Sequence, residues 1–116
     1  MKLKLCKDIQ VKDGIMIVNV GEEVDHHACD RLRERTDRII ENQNIYNIIF
    51  DFSSTRFMDS SGIGLVIGRY KKTKLMGGNV ILTNMSSVID RIYKMSGIYK
   101  LVKKTDTLDQ ALSELK

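Results

Sequence analysis

Hydrophobic positions change period several times along the chain, and each change marks an element. Apolar side chains at Leu3, Leu5, Ile9 and Val11 partly alternate, the pattern of a strand with one buried face. Asp13-Gly14 follows as a hairpin turn pair, and Ile15-Met16-Ile17-Val18-Asn19-Val20 supplies an antiparallel second strand, ended by Gly21. From His26 the period becomes helical. Ala28, Cys29, Leu32, Thr36, Ile39 and Ile40 share one face, and charged residues cover the rest. Asp25 stands where a helix N-cap belongs, and Asn42-Gln43-Asn44 ends the helix. The run Ile45-Tyr46-Asn47-Ile48-Ile49-Phe50-Asp51-Phe52 is almost continuously apolar, which predicts a third strand covered on both faces.

After a loop at Ser53-Ser54-Thr55-Arg56, the residues Ile63, Val66, Ile67, Tyr70 and Leu75 form a second helical stripe, stopped by Gly77-Gly78. Val80-Ile81-Leu82-Thr83 reads as a fourth strand. Val88, Ile89, Ile92 and Met95 mark a third helix ended by Gly97, and Tyr99-Lys100-Leu101-Val102 is expected to be a short fifth strand. Leu108, Ala111, Leu112 and Leu115 give a last helix capped by Thr105 or Thr107. Helix and strand alternate after the opening hairpin. The expected fold is therefore one α/β domain over residues 1–116, with four helices. Its five-stranded sheet is mainly parallel and carries an N-terminal antiparallel hairpin. In such sheets function gathers in the loops beyond the carboxyl ends of the strands, here residues 21–27 and 53–62.

Composition narrows the function classes. A chain of 116 residues, 42% hydrophobic and 29% charged, is the size of one domain and too apolar to be disordered throughout. Its longest uncharged stretch, residues 75–89, falls short of the roughly 20 apolar residues that a membrane span needs. No apolar segment follows the basic start, so no signal peptide is expected. Cys6 and Cys29 do not make a disulfide framework, and a reducing cytoplasm is the simplest compartment. The net charge of +4 is uneven: residues 66–104 hold nine Lys/Arg and one acid, Asp90. Such a block fits either an anionic partner or ordinary solvated surfaces. With aromatics at 6% and none interleaved as a stacking platform, direct nucleic-acid binding is not expected.

The densest chemistry lies in Phe57-Met58-Asp59-Ser60-Ser61-Gly62-Ile63-Gly64, between a buried strand and a helix. Asp and Ser at a helix start are first of all caps, but one cap does not occupy three such residues. A serine left over at a helix N-terminus suits a phosphate, because free N–H groups and the dipole favour an anion there. Gly62, Gly64 and Gly68 lack the G-x-G-x-x-G spacing of a dinucleotide site, and small residues that let the helix pack close to the sheet are the simpler reading. The elbow G-x-S-x-G of a serine hydrolase is absent, and Asp59 beside Ser60 would oppose an oxyanion. Asp25-His26-His27 and Cys29 lack metal-ligand spacing, and no metal or other cofactor is expected.

Those eight residues, followed by Gly68-Arg69-Tyr70-Lys71, resemble the phosphorylation loop and helix of the anti-sigma factor antagonists of the STAS domain family. Glu23-Val24-Asp25-His26-His27 is similar to the G-E-L-D-H-H segment of the family's sporulation branch, whose sigma factor is sigma F. Arg91-Ile92-Tyr93-Lys94-Met95-Ser96-Gly97-Ile98 is similar to its R-L-F-x-M-S-G-L helix end. The resemblance covers nearly the whole chain. It implies a STAS fold and a non-enzymatic, phosphorylation-switched binding module. The unphosphorylated form would bind an anti-sigma factor that is also a serine kinase, and so free the sigma factor. Mg-ATP-dependent phosphorylation of Ser60 would end binding, and a serine phosphatase would reverse it. Glu22, Asp25, His26, Asp59, Ser60, Ser61 and Gly62 would form the partner surface, with the Ser61 hydroxyl bonded inside the first turn. Two departures stand out: Glu22 replaces a family glycine, and Ser87 replaces a proline. A general-stress partner-switching module is the alternative inside the family. A nucleotide-binding or small hydrolytic enzyme is the alternative outside it.

Overall fold

The computed structural model describes residues 8–115, so the expectations for Leu3, Leu5 and Cys6 lie outside the described residues. Strand β1 (Ile9–Lys12) and β2 (Ile15–Asn19) pair antiparallel across Asp13-Gly14. Both turn residues have positive φ, 53° and 78°, the backbone of a tight hairpin that glycine adopts at no steric cost. There follow β3 (Glu23–Val24), α1 (His26–Asn42), β4 (Asn47–Asp51), β5 (Phe57–Met58), α2 (Ser61–Leu75) and β6 (Val80–Thr83). The chain ends with α3 (Ser87–Ser96), a 3-10 turn (Ile98–Lys100), β7 (Lys103–Thr105) and α4 (Leu108–Glu114). The main sheet has the order β1-β2-β4-β6-β7, parallel except for the opening hairpin.

The central strand β4 buries Ile48, Ile49 and Phe50 completely, as its unbroken apolar run predicts. Ile48 and Phe50 face one core with Met16, Val18, Leu32, Leu65, Val66 and Ile89, beneath α1, α2 and α3. Ile49 faces a smaller core with Ile81 and Ala111, closed by Leu108 and Leu112 of α4 and by Leu115 just after it. The sheet is thus sandwiched between three helices and one, and the opposite alternation of each strand feeds both layers.

The fifth strand lies elsewhere than the apolar pattern placed it. The carbonyl of Ile98 accepts from the N–H groups of Leu101 and Val102 at 2.8 and 3.0 Å, winding residues 98–102 into a turn that buries Ile98 and Val102. The strand is Lys103–Thr105, whose first two residues are exposed lysines. An edge strand needs little apolar character, and lysines there discourage pairing with another chain.

The basic block also departs from a uniformly solvated surface. Arg69 is only 3% exposed. Its Nη2 meets Asp37 Oδ1 at 3.1 Å, so the pair bridges α2 and α1. Burial lowers the pKa of this guanidinium, and the Asp37 charge works against that shift.

Candidate functional site

Two loops leave the carboxyl end of the sheet, after β2 and after β4, and become one surface through a feature that periodicity did not disclose. β3 and β5 pair in parallel, with Glu23 beside Phe57 and Val24 beside Met58. The Glu22 carbonyl accepts from Arg56 N–H at 2.8 Å, and the Val24 carbonyl accepts from Asp59 N–H at 3.1 Å. The buried Thr55 hydroxyl donates to the Gly21 carbonyl at 2.6 Å. The helix starts of α1 and α2 are thereby fixed side by side. Within this small sheet Val24 and Met58 point into the core while Phe57 stays 53% exposed. Two-residue strands are too short to show a period, and Phe57 and Met58 are both apolar, so no sequence pattern signals them.

On the α1 side, Asp25 Oδ1 accepts from Ala28 N–H at 2.9 Å, the N-cap expected from the sequence. This bond holds the Asp25 carboxyl below the usual carboxylate range, with help from the charges of His27 and Arg31. His26 is exposed, and its Nε2 lies 3.4 Å from Asp30 Oδ2 on the same helix. Cys29 is buried, and burial together with the Asp59 and Asp25 charges pushes its thiol up to about 11. Glu22 carries its exposed side chain on the same rim.

On the α2 side, the cap is Asp59. Its Oδ1 accepts from Ser61 N–H at 2.8 Å. The Asp59 and Ser60 carbonyls then accept from Gly62 N–H and Ile63 N–H, both at 3.1 Å, so the helix opens on a tight turn. Ser60 is exposed, takes helical φ and ψ of −64° and −14°, and its side chain makes no capping bond. Ser61 is half-buried and faces a groove of about 260 Å³ between α1 and α2, lined also by His26, Arg33 and Gly64.

Two expectations change here. The amides of Ser61, Gly62 and Ile63 already donate within the turn, so these three do not stand ready to cradle a phosphate. The turn's side-chain bond comes from the Asp59 carboxylate, and no bond of the Ser61 hydroxyl is part of it.

The glycines divide as well. A Cβ on Gly62 would collide with Met58 Sδ and stand 2.7 Å from Met58 Cγ, so close packing explains this position. Gly64 and Gly68 have nothing within 4 Å of where a Cβ would be, and close packing does not explain them. All seven predicted site residues therefore lie on or under one surface: Glu22, Asp25, His26, Asp59 and Ser60 on its rim, Ser61 at its groove, and the buried Gly62 beneath.

Comparison with known proteins identifies the family. The chain is 34% identical to the anti-sigma F factor antagonist of Paenibacillus polymyxa over 88% of its own length and 87% of the relative's. The solved structure of the anti-sigma factor antagonist SpoIIAA in its unphosphorylated form is 27% identical and superposes with a TM-score of 0.74, over 91% of this chain and 94% of that one. The phosphorylated form of the Bacillus cell fate determinant SpoIIAA is 29% identical, with the same TM-score of 0.74 over 93% and 99% of the two chains. The STAS domain model matches residues 7–111, and the chain belongs to the STAS domain family.

Proposed function

We propose that this protein is an anti-sigma factor antagonist working as a phosphorylation-switched binding module in the cytoplasm, in the sporulation branch of the family and thus serving sigma F. In its unphosphorylated form it binds an anti-sigma factor that is also a serine kinase, and so releases the sigma factor. Phosphorylation of Ser60 ends the binding, and a serine phosphatase restores it.

One observation carries this reading. Ser60 is exposed at the tip of a rigid helix start, and its hydroxyl is spared capping because Asp59 does that work. A kinase needs such an unengaged, accessible hydroxyl. The surface around it carries four acids, Glu22, Glu23, Asp25 and Asp59, alongside the cations Arg33 and Arg56. A phosphate adds about −1.5 to −2 charges to that surface. With the neighbouring amides committed, the phosphate stays at the surface, where a bound partner would have to desolvate it. A buried, poorly paired charge costs several kcal/mol, and every 1.4 kcal/mol is tenfold in affinity, so a loss of about a hundredfold or more follows. The Asp59 carboxylate beside the hydroxyl argues against a hydrolytic role for Ser60, because it opposes a developing oxyanion.

Calorimetric titration of the anti-sigma factor kinase with each form tests the reading. The unphosphorylated protein binds, the Ser60 phosphoprotein binds at least about a hundredfold more weakly, and the melting temperatures of the two forms stay close. Equal affinities would refute Ser60 as the switch.

A further inference from the structure

A buried tether lies behind the exposed turn. Tyr93, from the middle of α3, is 0% exposed, and its hydroxyl donates to the carbonyl oxygen of Gly62 at 3.0 Å. The ring is held from its other side by Phe52 at the carboxyl end of β4, edge-on at a centroid distance of 5.5 Å. Gly62 is clamped from three directions. Its N–H donates to the Asp59 carbonyl, its carbonyl accepts from Tyr93, and Met58 fills the space where a side chain would begin. Ser60 and Ser61 are the two residues enclosed between Asp59 and Gly62, so what fixes Gly62 fixes the geometry of the acceptor turn. Without its hydroxyl, Tyr93 would pack as phenylalanine does; with it, the first turn of α2 is tied to a different helix by a bond that water cannot replace.

We propose that Tyr93 is a positioning residue for the Ser60 turn: its hydroxyl anchors the Gly62 carbonyl and holds the Ser60 hydroxyl in the outward pose from which it is phosphorylated. This inference rests on the reading of Ser60 as the acceptor. It makes α3 a mechanical support of the switch, although no residue of α3 lies on the rim.

The test is Tyr93→Phe in the full chain, with Thr36→Val as the control, since Thr36 gives up a buried hydroxyl bond of 2.7 Å inside α1. Residue-resolved amide hydrogen exchange is measured under native conditions. Loss of one buried bond corresponds to about a fivefold rise in local opening. The expected result is that rise at Ser61, Gly62 and Ile63 in Tyr93→Phe, with the β4 and β6 amides changed less than twofold and no rise at these positions in Thr36→Val. Uniform acceleration across the chain, or no change at residues 61–63, overturns the anchoring role. Steady-state phosphorylation by the anti-sigma factor kinase with Mg-ATP is the second arm: Tyr93→Phe lowers kcat about fivefold and leaves KM unchanged. Local exchange changes with unaltered kcat would overturn the role in the switch. If the kinase does not modify Ser60 in the wild type, the functional reading fails instead, while the exchange arm still decides the anchoring.

Discussion

The first turns of α2 and α3 are written in nearly the same residues, Met58-Asp59-Ser60-Ser61 before one and Met85-Ser86-Ser87 before the other. At α3, Ser86 sits in extended backbone and its hydroxyl oxygen accepts from Ile89 N–H at 3.3 Å; the serine is consumed by capping. At α2 the inserted aspartate takes the capping role, and Ser60 moves into helical backbone with its hydroxyl free. Both serines are exposed, and one extra carboxylate thus turns a capping serine into one whose hydroxyl is unengaged. The surroundings differ as well. Ser60 is set on a clamp of Met58, Gly62 and Tyr93, while the position equivalent to Gly62, two residues after Ser86, is Val88 and points into solvent at 63% exposure.

The largest expected effect probes that clamp. Gly62→Val forces Met58 or the first turn of α2 to move, at a cost of about 1–3 kcal/mol in urea unfolding, as overpacking of a tight site does. The control at the equivalent position of the other helix, Val88→Ala, stays within about 0.5 kcal/mol. Equal effects at the two positions would show that the two starts are not built differently. The next contrast is between the serines. Ser86→Ala removes a cap and costs about 1 kcal/mol, whereas Ser60→Ala stays within about 0.5 kcal/mol because no bond is lost.

The smallest effect uses pH. Asp90 lies in the first turn of α3, while the first turn of α2 holds no acid. A hydrogen bond from the Tyr99 hydroxyl at 2.6 Å, and then Lys104 at 3.1 Å, hold the Asp90 carboxyl below its ordinary value of 3.8. The unfolded state binds this proton more readily. The contribution of Asp90 to stability is therefore present above pH 3.8 and lost as pH falls through the lower folded value. Urea unfolding at pH 7 and at acid pH should show a smaller loss on acidification for Asp90→Asn than for the wild type. An unchanged slope would remove Asp90 from the acid response.

Much of this architecture was legible because periodicity reports burial. The α1 stripe, the doubly covered β4 and the Asp13-Gly14 turn each follow from a local pattern whose cause is local. The misplaced fifth strand shows the limit: Ile98 and Val102 are apolar because a turn buries them, and the true edge strand carries lysines because an edge tolerates them. The pairing of β3 with β5, the burial of Arg69 against Asp37 and the Tyr93–Gly62 bond join residues distant in sequence, and no one-dimensional pattern encodes them. At the site, residue types were readable and their division of labour was not. The Met58-Asp59-Ser60-Ser61 string offers several capping schemes, and only the Asp59 to Ser61 bond decides among them.

The central claim is that the hydroxyl freed by Asp59 is the one the kinase uses. Site-resolved mass spectrometry after incubation with the anti-sigma factor kinase and Mg-ATP tests it most directly, run in parallel on wild type, Ser60→Ala, Ser61→Ala and Ser86→Ala. The account predicts one phosphate, on Ser60, lost in Ser60→Ala and retained in the other two variants. A phosphate on Ser61 or Ser86, or one that persists in Ser60→Ala, would contradict it.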